Sequence, residues 1–221
     1  MLEFSTAREN QLYLTLTLPL SLFLLLYMTI SSLSAQTFGE TKRHIFTRRS
    51  YLPNRNNSLW QIETGVVRTV TWLEDGTIIT LGLWGAGDAI GKPISKCEPY
   101  QIECLTKVEA ILLSADRWLN RDILLHHIQQ AEEFTIMRGY KKVDLMIYKL
   151  LNWLAKKFGS EVEQGHLIQM NLTHQDIAEI IGTSRVTVTR TLGIFEQQGL
   201  IERLPLHQII LQPSEVWHYE I

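Results

Sequence analysis

Apolar and polar positions alternate in short runs through the first half of the chain, then change period. "HIFTRRSYL" is apolar and β-branched. The clearest piece is "SLWQIETGVVRTVTWLEDGTIITLGLWGAGDAIG". It predicts a short strand at residues 59–62, a turn at Gly65 and a strand at 66–73. In that strand Val66, Arg68, Val70 and Trp72 alternate with Val67, Thr69, Thr71 and Leu73. "EDG" is a hairpin turn, residues 78–83 run back, and "GAGD" turns again. "IECLTKVEAILLS" supplies two further strands. Short strands with turns this frequent predict a small antiparallel barrel or jelly roll.

After "SAD" the spacing becomes helical. Residues 121–137 carry Leu124, Ile128, Ala131 and Thr135 three or four apart, with Leu125 and Phe134 widening the stripe. Residues 141–158 carry Leu145, Tyr148, Leu151, Leu154 and Phe158, and Gly159 suits the position after a helix end. Such an apolar helix either packs on the barrel or pairs with a copy of itself. "SEVEQG" reads as a polar linker and "IQMNL" as a strand. A boundary near residues 139–140 divides the chain into an apolar N-terminal segment (1–37), a roll with its helix (38–139) and a C-terminal domain (140–221).

In the C-terminal domain, Thr173 is placed to cap a helix, with Asp176 three residues on. Ile177, Ala178 and Ile181 form a short apolar face, and Gly182 ends the helix in a sharp turn. Ser184 caps a second helix whose Val188, Leu192 and Phe195 share one face, and Gly199 terminates it. "LIERLPLHQIILQ" follows as a two-stranded hairpin. Two helices across a glycine turn, then a hairpin, form a winged helix-turn-helix. This leaves Arg185, Val186, Thr189 and Arg190 pointing outward at the start of the second helix, the end that enters the major groove. Arginine offers two donors to guanine N7 and O6, hydroxyls suit phosphates and base edges, and Val186 offers apolar contact to a thymine methyl.

Bulk composition narrows the partners. The chain has 221 residues, is 45% hydrophobic and 20% charged, and carries a formal charge of −2. With no global basic field, any surface for nucleic acid must be local. Cys97 and Cys104 are too few for a disulfide scaffold or a four-thiolate metal site, and they lack C-x-x-C spacing. Residues 12–30, "LYLTLTLPLSLFLLLYMTI", form an uncharged apolar run close to membrane-spanning length. Three readings fit it. As an anchor, the basic residues from Lys42 to Arg55 would leave the body of the protein cytoplasmic. As a signal peptide it would end near "SSLSAQ", although Glu3 and Glu9 spoil the preceding region. A start at Met28 would remove the run from the natural chain and leave a cytoplasmic protein.

"LTHQDIAEIIGTSRVTVTRTLGIFEQQGLI" resembles the helix-turn-helix of the cAMP receptor protein/FNR family of bacterial transcription regulators. "LWQIETGVVRTVTWLEDGTIITLGLWGAGDAIG" is similar to that family's sensory β-roll, and the apolar helix between resembles its dimerisation helix. "SRVTVTR" is most like the cyanobacterial global nitrogen regulator branch. The resemblance implies an α+β fold: a cyclic-nucleotide-binding-like β-roll, a long dimerisation helix and a C-terminal winged helix-turn-helix. It implies a homodimer on double-stranded DNA, with RNA polymerase as a further partner. By the same resemblance Arg185 and Arg190 contact bases and phosphates, and Thr173, Gln175, Ser184 and Thr187 contact the DNA backbone. Val186 stands where the cAMP receptor protein has a glutamate, which removes an acceptor for a cytosine amino group. The implied palindrome therefore has GTA-like half-sites.

The sensory part departs from cyclic-nucleotide members. Where they use a glutamate and an arginine, "IGKPISKCEPYQIECL" has Lys92 after Gly91, and no arginine occurs between Arg68 and Arg117. Lys92 or Lys96 offers an anion only a point charge. Cyclic AMP is not expected as the effector, a 2-oxoglutarate site lacks its arginines, and no iron–sulfur cluster is expected. The effector stays open. A metal enzyme on a small roll would need clustered ligands, but only His44 lies between Arg43 and Leu125, while His126 and His127 face different directions on a helix. No nucleophile–base arrangement is present, so an enzyme is not expected.

Overall fold

A computed structural model describes residues 42–213. The apolar run at 12–30 and the proposed segment 1–37 therefore lie outside the described residues. Eight strands come first: β1 (Arg43–Phe46), β2 (Tyr51–Leu52), β3 (Ser58–Thr64), β4 (Val67–Trp72), β5 (Ile78–Trp84), β6 (Ala89–Ile90), β7 (Gln101–Cys104) and β8 (Val108–Ser114). They form two four-stranded sheets, ordered β1-β8-β3-β6 and β2-β7-β4-β5, with antiparallel pairings throughout. Trp60, Ile62, Val108 and Ala110 of one sheet meet Val67, Trp84, Ile102 and Cys104 of the other in a single buried cluster. This is the expected roll. The "EDG" hairpin closes β4 onto β5, with Leu73 N–H donating to the Thr77 carbonyl at 3.0 Å.

Three helices follow: α1 (Ala115–Trp118), α2 (Arg121–Gly139) and α3 (Val143–Phe158). Asn120 accepts the Ile123 amide at 3.0 Å and starts α2 as a separate helix. On α2, Gln130, Phe134 and Met137 face inward, whereas Leu124, Ile128, Ala131 and Thr135, the stripe legible in the sequence, are all exposed. α3 is different: Ile147, Leu150, Leu151 and Leu154 are fully buried in a core shared with the C-terminal elements. Gly159 follows α3 with an ordinary φ of −84°. Its need for glycine is spatial, because a Cβ there would lie 2.4 Å from the Ala155 carbonyl oxygen.

The C-terminal part contains β9 (Ser160–Val162), β10 (Gly165–Ile168), α4 (His174–Ile181), α5 (Arg185–Gln197), β11 (Ile201–Leu204) and β12 (Gln208–Leu211). "SEVEQG" is not a linker: β9 pairs with β10, which pairs with β12, in a third sheet ordered β11-β12-β10-β9. β9 is a polar edge strand, with Ser160 and Glu161 exposed, so it carries no hydrophobic alternation to announce it. The strand read at "IQMNL" starts earlier and stops at Ile168, and Met170 and Leu172 are buried beyond it. Among the described residues no helix is long and apolar enough to cross a membrane.

Candidate nucleic-acid interface

α4 begins with reciprocal capping. The Asp176 amide donates to Thr173 Oγ1 at 3.1 Å, and Thr173 N–H donates to the Asp176 carboxylate at 2.8 Å. Thr173 Oγ1 also donates its hydrogen to that carboxylate at 2.8 Å. Asp176 is 1% exposed and accepts Arg49 Nη2 at 2.7 Å. Burial is the largest single effect on its carboxyl and pushes it up. Arg49 and the Thr173 amide and hydroxyl together outweigh that and hold it below the ordinary carboxylate range.

The turn is set by Gly182, at φ 77°, where a side chain would be strained although nothing crowds the position. Gly182 and Thr183 both donate to the Ala178 carbonyl at 2.9 Å, closing α4. Ser184 Oγ accepts the Thr187 amide at 3.1 Å and starts α5. Val188, Leu192 and Phe195 are then buried at 0%, 1% and 4% exposure, against Ile177, Ala178 and Ile181 in the same core.

The opposite side of α5 faces outward. Arg185, Val186, Thr189 and Arg190 are exposed, Val186 at 78%. The guanidinium groups of Arg185 and Arg190 make no hydrogen bond or ion pair with other described residues. The predicted hydroxyl and amide contacts are partly committed elsewhere. Gln175 Nε2 donates to Glu179 at 2.8 Å, Ser184 and Thr187 exchange a hydroxyl bond at 2.8 Å, and Thr189 Oγ1 donates to the Arg185 carbonyl at 2.9 Å. Gln175 and Ser184 are exposed, whereas Thr173 and Thr187 are half-buried.

Three further residues border this face. His174 Nδ1 lies 2.7 Å from Thr189 Oγ1; since that hydroxyl's hydrogen goes to Arg185, Nδ1 is the donor. His207, in the turn between β11 and β12, has its ring centroid 6.5 Å from that of His174. Arg203 on β11 is tied to Glu196 of α5, with Nε 2.9 Å from the carboxylate. Burial first, then Arg203, His207 and Arg185, push the His174 imidazole below its ordinary value. His174 follows the cap residue in sequence, which is a readable position; His207 and Arg203 have no signal short of knowing how the hairpin folds back.

A Crp-like helix-turn-helix domain model matches residues 147–215. Regulatory protein CysR of Synechococcus elongatus is 37% identical over 178 residues, spanning 79% of this chain and 86% of its own length. The chain belongs to the cAMP receptor protein/FNR family of transcription regulators. The global nitrogen regulator of the same organism matches over 78 residues at 36% identity, 35% of each chain. A CRP-family regulator structure from Thermus thermophilus aligns with a TM-score of 0.65 at 22% identity, covering 77% of this chain and 92% of that one.

As a member of the cAMP receptor protein/FNR family, the protein has a notable roll. A cavity of about 440 Å³ lies between the roll and α2, lined by Thr69, Trp84, Tyr100, Cys97, His127 and Leu124 among others, with no lysine or arginine among the described residues of its wall. Lys92 is turned to the Cys97 carbonyl at 2.6 Å and to Glu98, and Lys96 is exposed. His127 stacks on Trp84 with centroids 3.9 Å apart and meets the Ala89 carbonyl at 2.8 Å. His126 is on the surface beside Asp88, at 3.0 Å. Both cysteines are free; Cys104 is buried, which pushes its thiol up to about 11.

Proposed function

We propose that this regulator binds DNA as a homodimer, at a palindromic promoter site with GTA-like half-sites, and acts there with RNA polymerase in the cytoplasm. The observation that carries the reading is the division of α5: Val188, Leu192 and Phe195 dock it while Arg185, Val186 and Arg190 stand free. Arg185 and Arg190 read guanines or phosphates, Val186 meets a thymine methyl, and the hydroxyls of Ser184, Thr187 and Thr189, with Gln175, serve the backbone. Thr173 reaches a phosphate only by giving up its bond to Asp176, so its main work is the cap. The chain is not an enzyme in this reading. Cyclic AMP is not the expected effector, because the described residues of the cavity wall include no lysine or arginine to hold a phosphate. An effector would act by shifting the placement of the two recognition helices.

Arg185→Ala is expected to weaken specific binding by about 1–3 kcal/mol and to relax discrimination at one base position. Fluorescence anisotropy on single-base variants of the site checks it; unchanged affinity and selectivity would remove Arg185 from the reading surface. Dimerisation is assigned to the exposed stripe of α2, where Ile128 is 54% and Ile136 62% exposed. Ile128→Glu is expected to shift the protein toward monomer in sedimentation, and a dimer of undiminished stability would place the interface elsewhere.

A further inference from the structure

A recognition helix reads DNA only if it is presented at a fixed angle, and α5 is carried by α4 across the Gly182 turn. Three arginines from outside the helix-turn-helix converge on α4. Arg68 on β4, 3% exposed, places Nη1 2.7 Å from Glu179 of α4 and Nη2 2.7 Å from Glu103 of β7. Arg49 makes the same kind of bridge, with Nη2 2.7 Å from Asp176 and Nη1 2.9 Å from Glu103. Arg138, at the end of α2, donates to the Ile180 carbonyl of α4 at 3.0 Å and to the Thr80 carbonyl of β5 at 2.5 Å. Each guanidinium therefore bonds the roll on one side and α4 on the other.

The chemistry of these bridges favours orientation over adhesion. An apolar contact tolerates sliding, and the shared core already supplies one. A planar guanidinium donates in fixed directions, so two-sided bridges at three points specify the angle of α4 as well as its distance. Buried ion pairs add little net stability over an apolar replacement, and setting register is their best-attested use. Arg49 is also held at φ 68°, a backbone conformation a non-glycine residue adopts at a cost, which puts its side chain between Glu103 and Asp176.

We propose that Arg49, Arg68 and Arg138 are positioning residues for DNA recognition, fixing the helix-turn-helix in one orientation on its own roll. This rests on the DNA-reading function above. The test uses the full chain carrying Arg49→Met and Glu179→Gln, which removes one bridge and weakens another without touching α5, with Glu179→Gln alone as a milder variant. Spin labels at Glu74→Cys on the roll and Gln197→Cys on α5, in a Cys97→Ala background diluted with unlabelled chain, report the intrachain distance without DNA. The expected result is a narrow distribution in the parent and a broadened or shifted one in the folded variants. On a site selected from random DNA, affinity is expected to fall about tenfold while discrimination against a single-base variant is retained. Unchanged distance distributions in folded variants overturn the proposal, as does loss of discrimination in step with affinity. A parent that binds no specific site defeats the DNA-reading function instead, and the distance measurement then still decides the positioning.

Discussion

Asp176→Ala is expected to lower the unfolding free energy by about 1–3 kcal/mol, the usual cost of leaving buried hydrogen-bonding groups without their acceptor. Three groups lose their acceptor at once: the Thr173 amide, the Thr173 hydroxyl and Arg49. Arg49, whose side chain is 39% exposed, keeps Glu103 and water as partners. Urea unfolding followed by circular dichroism gives the number, and a loss under about 1 kcal/mol would mean that these bonds are readily replaced by water. The same carboxyl predicts a pH dependence. Because it is held below its ordinary range when folded, its contribution is complete above the unfolded value of about 3.9 and is lost as pH falls through the lower folded value. Asp176→Asn is therefore expected to flatten the fall in stability below about pH 4.

Leu192→Ala is expected to cost about 2–5 kcal/mol. Leu192 is 1% exposed and lies on the buried face of α5, in the core that also holds Ile177, Val188 and Phe195. The cavity left behind loosens the docking of α5, so the proposed specific binding should weaken along with the thermal midpoint. Ile194→Ala on the same helix, where the side chain is 42% exposed, provides the control and should change stability much less. Equal losses at the two positions would contradict the assignment of the buried face.

The helix-turn-helix was legible because its signals are local. Thr173 with Asp176, Gly182 and Ser184 act within four residues of themselves, and the capping bonds they make are all present. The roll was legible from strand alternation and closely spaced turns. Long-range polar partnerships were not: Arg68 reads as one position in an alternating strand, yet its partner Glu179 lies 111 residues away. The fate of the two apolar helices was open for a related reason. Spacing identifies a stripe but not what covers it, and only the packed structure shows that α3 is buried within the chain while the stripe of α2 is left exposed. β9 gives no hydrophobic signal in the sequence because edge strands are kept polar.

Selecting bound sequences from random duplex DNA with the full chain decides whether Arg185, Val186 and Arg190 read a palindrome in the major groove. The expected result is enrichment of a two-fold symmetric site with GTA-like half-sites about one helical turn apart. Recovery of unrelated sequences without symmetry, or no enrichment at all, would contradict it.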